Sequence, residues 1–82
     1  MAHVVAASSD LTAFTGGLAE FEVAADTVRR LIVELEARFP GLGDFVQRRM
    51  AIAIDGEIHQ DAFEEPLRPD SEVFLIPKIG GG

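Results

Sequence analysis

Val73-Phe74-Leu75-Ile76-Pro77-Lys78-Ile79-Gly80-Gly81-Gly82 closes the sequence of 82 residues. Its first four residues are apolar, a run long enough for one fully buried strand. Being apolar on both faces, Val73 to Ile76 is expected at the centre of a sheet, with a helix over one side and the other side left for a partner. Pro77 has no N–H to donate to a ladder, so pairing is expected to fail there and the segment beyond it to leave the body of the protein. Gly80 to Gly82 have no side chain to bury, and ordering them would cost roughly 1–2 kcal/mol of backbone entropy per residue. A mobile end is therefore expected. From Lys78 to Gly82 an extended chain spans at most ~17 Å at about 3.3–3.6 Å per residue, enough to carry an α-carboxylate down a channel too narrow for side chains. The plain alternative is an unstructured end without a role.

Working back from that strand, Pro69-Asp70-Ser71-Glu72 reads as a turn leading into it. Ala51-Ile52-Ala53-Ile54 reads as a strand, and Asp55-Gly56 is a two-residue hairpin signal leading to Glu57-Ile58-His59. Between them and the last strand, Asp61 to Asp70 reads as an acidic, proline-bearing loop from which Leu67 plugs the core. Upstream, Val28, Leu31, Ile32, Leu35 and Phe39 recur at spacings of three and four, which sets them on one face of a helix. Asp26 or Thr27 can cap its start, and Pro40-Gly41 stops it. Arg29, Arg30, Glu34, Glu36 and Arg38 fall on its solvated side. Leu42 to Phe45 suits a short helical turn. Gln47-Arg48-Arg49, the one basic cluster, reads as a solvated connection or as a contact for an acidic partner or for the α-carboxylate region. At the front, His3 to Ala7 reads as a strand and Ser8 to Leu18 as a loop anchored by Leu11 and Phe14. Ala19 to Val23 alternates as a strand with one wet face, pairing as a hairpin with the first.

Composition narrows the functions. With 82 residues of which 48% are hydrophobic, the chain suits one domain with a modest core and leaves no room for a separate catalytic domain. The absence of cysteine excludes disulfides, thiolate zinc sites and a cysteine nucleophile. Fourteen acidic against seven basic residues, a net charge of −7, repel phosphate backbones and anionic lipid, so neither nucleic acid nor membrane is an expected partner. No basic segment followed by an apolar core opens the chain, and no run approaches the ~20 apolar residues of a membrane span. A cytoplasmic protein is expected. His3 and His59 stand alone without ligand spacing, so no metal is expected, and no nucleophile elbow, Walker or GxGxxG pattern occurs. Glu64-Glu65 reads as a pair of solvated acids. The carboxyl terminus is what elimination leaves.

The order strand, strand, helix, strand, short strand, strand, with Asp26-Thr27-Val28 opening the helix and Leu31 inside it, resembles the MoaD/ThiS family of ubiquitin-like sulfur carriers. So do Leu67, Asp70, Glu72 and Val73 before the last strand, and the ending Pro77-x-Ile79-Gly80-Gly81-Gly82. The tail proline and the length look more like the molybdopterin synthase small subunit than the shorter thiamine carrier. Ala6, Ala7, Ser8 and Ser9 depart from relatives in which the first strand continues into an aromatic and an arginine-bearing segment.

The resemblance implies an α+β, ubiquitin-like β-grasp. This is a mixed sheet of four to five strands with one main helix on one face, a domain over residues 1–78 and a flexible Gly-Gly tail over 79–82. It implies a non-enzymatic carrier with no bound cofactor. An ATP-dependent activating enzyme would adenylate the Gly82 carboxylate, a donor would convert it to a thiocarboxylate, and a synthase subunit would accept the sulfur. Ile79, Gly80 and Gly81 would thread the partner's channel, while Ile58 and Ile76 would dock on the partner. For those two, ordinary sheet packing is the competing reading. Two further readings stay open. In one, a ubiquitin-like modifier is joined through Gly82 to lysines of other proteins; in the other, a β-grasp binding module carries an inert tail. Lys78, the one lysine, stands too close to the tail to support chain building.

Overall fold

The computed structural model describes residues 1–59 and 63–78. Five strands form one mixed sheet in the order β2-β1-β5-β3-β4. Strand β1 (Ala2–Val5) pairs antiparallel with β2 (Glu20–Val23) and parallel with β5 (Glu72–Pro77). Strand β3 (Met50–Ile54) pairs antiparallel with β5 and with β4 (Glu57–His59). The last strand is therefore central, as its apolar run requires. The expected tail, Ile79, Gly80, Gly81 and Gly82, lies outside the described residues, as do residues 60–62.

The longest helix, α2 (Val28–Arg38), follows the predicted stripe: Val28, Leu31, Ile32 and Leu35 are buried. Thr27 caps it, its hydroxyl accepting from the Arg30 N–H at 3.1 Å, which satisfies a donor that the first turn leaves without an intrahelical partner. Phe39 ends the helix and packs its ring 5.3 Å from that of Phe21 on β2. Arg38 lies over both rings and donates to the Glu22 carbonyl at 2.7 Å. That bond occupies part of the open edge of β2, where an unpaired carbonyl would otherwise invite another strand. Leu67 is buried, as expected, its N–H bonded to the Asp26 carbonyl.

Three expectations need correction. The segment read as a loop from Ser8 to Leu18 contains a helix, α1 (Ser9–Thr15). Ser8 caps it, Leu11 is buried, and Gly16 ends it in the left-handed conformation. Seven residues rich in Ser, Thr and Asp offer too little periodicity to read as a helix, and two anchors three apart are its whole apolar signal. The short turn expected after Gly41 is a full helix, α3 (Leu42–Arg49), so Gln47, Arg48 and Arg49 form its last turn instead of a connection. Pairing does not fail at Pro77, which stands opposite Met50, and the Lys78 N–H still reaches the Arg49 carbonyl at 3.2 Å.

The ladder explains why the proline is tolerated. The Asp55 N–H donates to the Glu72 carbonyl and the Lys78 N–H to that of Arg49, so residues 72, 74, 76 and 78 turn their backbone groups to β3. Those between face the other flank, where β1 pairs only as far as Phe74. Pro77 thus lacks a donor at a place where no strand would receive one.

Helix α3 is held by α2. Glu36 accepts from the backbone N–H groups of Gly41 at 2.8 Å and Asp44 at 3.3 Å, serving as the cap that Gly41 cannot provide. Those bonds, that of Gly41 foremost, lower the Glu36 pKa. Gly43 is where the two helices cross. A Cβ there would lie 2.9 Å from the Ile32 carbonyl oxygen and 2.9 Å from the Glu36 Cβ. The hairpin turn places Asp55 at φ 49° and Gly56 at φ 91°, a pair of positive angles that Asp-Gly adopts with little strain.

Replacing Gly43 with alanine should therefore force the helices apart and cost about 1–3 kcal/mol of stability. Urea denaturation measures this, and a midpoint equal to wild type would contradict the close crossing.

Candidate functional site

Alternation along the strands divides the sheet into two faces. Val4, Phe21, Val23, Met50, Ile52, Ile54, Val73 and Leu75 pack beneath the helices. The opposite face carries no helix among the described residues. It is laid out in rows by the strand registers. Val5, Phe74, Ala53 and Ile58 stand side by side across β1, β5, β3 and β4, with Glu20 opposite Val5 at the β2 end. One row further along β5, Ile76 stands opposite Ala51. Ile58 is 56% exposed and Phe74 42% exposed, and Ile76 is half-buried. Ile58, Phe74 and Ile76 are thus the large apolar groups that this face leaves open in whole or in part.

Both residues singled out from the sequence, Ile58 and Ile76, lie on this face and outside the core cluster. Sequence reading missed Phe74, Val5, Ala51 and Ala53. The signal for Phe74 was present: in a central strand with Val73 and Leu75 turned inward, the residue between them must point outward.

In the row on the other side of Phe74, Glu22, His3 and Glu72 stand side by side. The His3 ring sits between two carboxylates, Nδ1 3.0 Å from Glu72 and Nε2 3.0 Å from Glu20. Each nitrogen faces an acceptor, an arrangement suited to the doubly protonated ring, which donates from both. The hydrogen bond to Glu72, aided by the charges of Glu72, Glu22 and Glu20, raises the His3 pKa against the opposing effect of desolvation. Among the described residues no group of three His, Cys, Asp or Glu side chains is placed to hold a metal ion. No helix among them is long and apolar enough to cross a membrane.

A β-grasp sheet with one bare apolar face, leading through its central strand to Lys78, defines a ubiquitin-like protein. The solved structures agree on the fold. Mycobacterium tuberculosis CysO superposes with a TM-score of 0.84 at 19% identity, over 96% of this chain and 100% of that one. A chain of the Amycolatopsis orientalis BexX/CysO complex does so with 0.84 at 20% identity, over 100% of both chains. The small archaeal modifier protein 1 of Methanosarcina acetivorans gives 0.77 at 20% identity, over 99% of this chain and 95% of that one. The ThiS family model matches residues 8–82. A molybdopterin synthase sulfur carrier subunit from Pyrenophora tritici-repentis is 32% identical over 72 residues, covering 84% of this chain and 77% of that relative. The chain belongs to the ThiS family, the ubiquitin-like sulfur carriers.

Two outcomes check this account of the face. Ile58→Ser should change stability by less than about 0.5 kcal/mol, whereas Leu75→Ala, on the buried side of β5, should cost about 2–5 kcal/mol. Similar losses from both would mean that the face is not bare. The His3 pKa is raised in the fold, so its contribution to stability is fully present below the ordinary value of 6.5 and is lost as pH rises through the folded value. His3→Gln should remove that decline from the stability profile above 6.5, measured by urea denaturation across the neutral range.

Proposed function

We propose that this chain carries sulfur on the carboxyl group of Gly82. Membership of the sulfur-carrier family, with Ile79-Gly80-Gly81-Gly82 following the central strand in sequence, is the observation that supports the reading. A carboxylate is a poor electrophile, so activation must come first. One Gly82 carboxylate oxygen attacks the α-phosphorus of ATP in an activating enzyme, pyrophosphate leaves, and an acyl-adenylate forms. A sulfur nucleophile delivered by a donor then attacks the acyl carbon and AMP leaves, so that sulfur replaces an oxygen. The product is an anionic, nucleophilic thiocarboxylate.

The partner synthase brings that sulfur to an electrophilic substrate carbon, and water later cleaves the acyl–sulfur bond to restore the carboxylate. The carrier contributes placement, and the partner contributes the catalysis. The short tether suits this role, since Ile79, Gly80 and Gly81 reach into a channel while the body stays outside. Ile58 and Ile76, with Phe74 in the row of Ile58, are the residues by which the body docks. The molybdopterin synthase pathway is favoured by the 32% identity to that enzyme's carrier subunit.

The fold shared with a small archaeal modifier protein is compatible with a second fate for the same acyl-adenylate, passage to a lysine amine of another protein. One experiment separates the two. Incubated with the activating enzyme, ATP and a sulfur donor, the chain should gain the mass of an oxygen-to-sulfur exchange, and removal of Gly82 should abolish the gain. An unchanged mass, together with adducts that survive boiling in thiol, would favour the modifier instead.

A further inference from the structure

The last strand brings the chain to the junction of α3 and β3. There the Lys78 N–H donates to the Arg49 carbonyl at 3.2 Å and the Lys78 ammonium to the Gln47 carbonyl at 3.3 Å. Strand β1 pairs with β5 only as far as Phe74, and α1 begins four residues after β1 ends. Helix α1 meets α3 through the rings of Phe14 and Phe45, 5.3 Å apart. Between these helices lies a recess of about 230 Å³, lined by Phe14, Gly41, Asp44, Phe45, Arg48 and Arg49. It is smaller than the roughly 300–1,000 Å³ of small-molecule sites. Half-buried aromatic rings and exposed arginines line it together.

Its two cations differ. Arg48 is paired with Asp44 at 3.4 Å, whereas Arg49 has no carboxylate partner among the described residues. The remaining basic side chains are all engaged. Arg29, Arg30 and Arg68 face carboxylates, and Arg38 and Lys78 donate to backbone carbonyls. One guanidinium at the rim of an apolar recess is thus left for an anion.

The nearest anion belongs to the chain itself. Ile79, Gly80, Gly81 and Gly82 follow Lys78, and extended they span at most ~14 Å at about 3.3–3.6 Å per residue. Arg49 is bonded to Lys78, so its guanidinium lies within that reach of a tail that doubles back, and glycines reverse direction without steric cost. A single exposed ion pair is weak between separate molecules. A tether this short holds the Gly82 carboxylate near the recess at an effective concentration in the millimolar range, an advantage that no free acid or unrelated acidic peptide shares.

We propose that the recess between α1 and α3 is the resting place of the chain's own tail, with the Gly82 carboxylate on the Arg49 guanidinium and Ile79 against Phe14 and Phe45. Asp44 keeps the contact weak, because its carboxylate repels that of Gly82 while Arg48 offsets only part of its charge. A channel that takes the extended tail therefore competes successfully. The proposal rests on the sulfur-carrier reading only for what the contact withholds, an end group that the activating enzyme must reach.

The test is nitrogen-15 relaxation of the full chain, free of any partner. In wild type the backbone order parameters of Gly81 and Gly82 should approach the value of about 0.85 of a rigid backbone, and in Arg49→Gln they should fall below about 0.6. Arg49→Lys keeps the charge and should lie between them. Thermal melts and the shifts of the body check that only the tail responds. Values below about 0.6 in wild type, or equal values in wild type and Arg49→Gln, would overturn the proposal. In ATP–pyrophosphate exchange with the activating enzyme, Arg49→Gln should lower the KM for the carrier about two- to fivefold at unchanged kcat, since more of the chain is competent to bind. An equal or higher KM would overturn the withholding of the tail. Exchange with equal order parameters sinks the resting contact alone, whereas order parameters that respond to Arg49 without any exchange support the contact and count against the sulfur-carrier reading.

Discussion

Every feature of the bare face follows from β5 being hydrogen-bonded along both flanks. Held parallel to β1 and antiparallel to β3, the strand cannot rotate or slip by one residue without turning Val73 and Leu75 out of the core and Phe74 and Ile76 into it. The register that satisfies the core also sets Phe74 beside Val5 and Ala53, and carries the ladder on to Lys78. Burial and display are thus two consequences of one pairing, which is why a small body can hold both a stable interior and an exposed apolar row.

The helices supply the other half of the constraint. Glu36 caps the start of α3 from a neighbouring helix, and Gly43 lets the two approach closely enough for it to do so. The end of α3 then runs into β3 through Arg49 and Met50 without a loop. Because that junction is continuous, the position of Arg49 opposite Lys78 depends on how α3 packs against α2. A contact between two helices thereby fixes where β3 begins.

The acidic end of the face has a comparable origin. Glu20 and Glu22 alternate with buried residues on β2, Glu72 opens β5, and β1 lies between those strands with His3 at the matching position. Three carboxylates in one region would repel one another. An imidazolium bonded to two of them offsets that repulsion in part, and the hydrogen bond to Glu72, with the three charges adding to it, raises the His3 pKa.

Much of this was legible without coordinates. Helix α2 showed itself through its stripe, the β3–β4 turn through Asp55-Gly56, the central strand through an apolar run from Val73 to Ile76, and the family through the turn before that run and the glycines after it. Periodicity and turn chemistry are local, so a linear reading recovers them. Helix α1, though capped locally by Ser8 and Gly16, was under-read because its packing partner lies elsewhere, Phe14 meeting the Phe45 ring at 5.3 Å; for α3 both the cap, Glu36, and the packing at Gly43 against Ile32 and Glu36 come from α2. The rows of the bare face were invisible for the same reason. Val5, Phe74, Ala53 and Ile58 come from four strands, and only strand order and register bring them side by side. Sequence determined which residues were apolar and which charged; the pairing of β5 decided which would share a face, since hydrogen-bond register is a relation between distant segments.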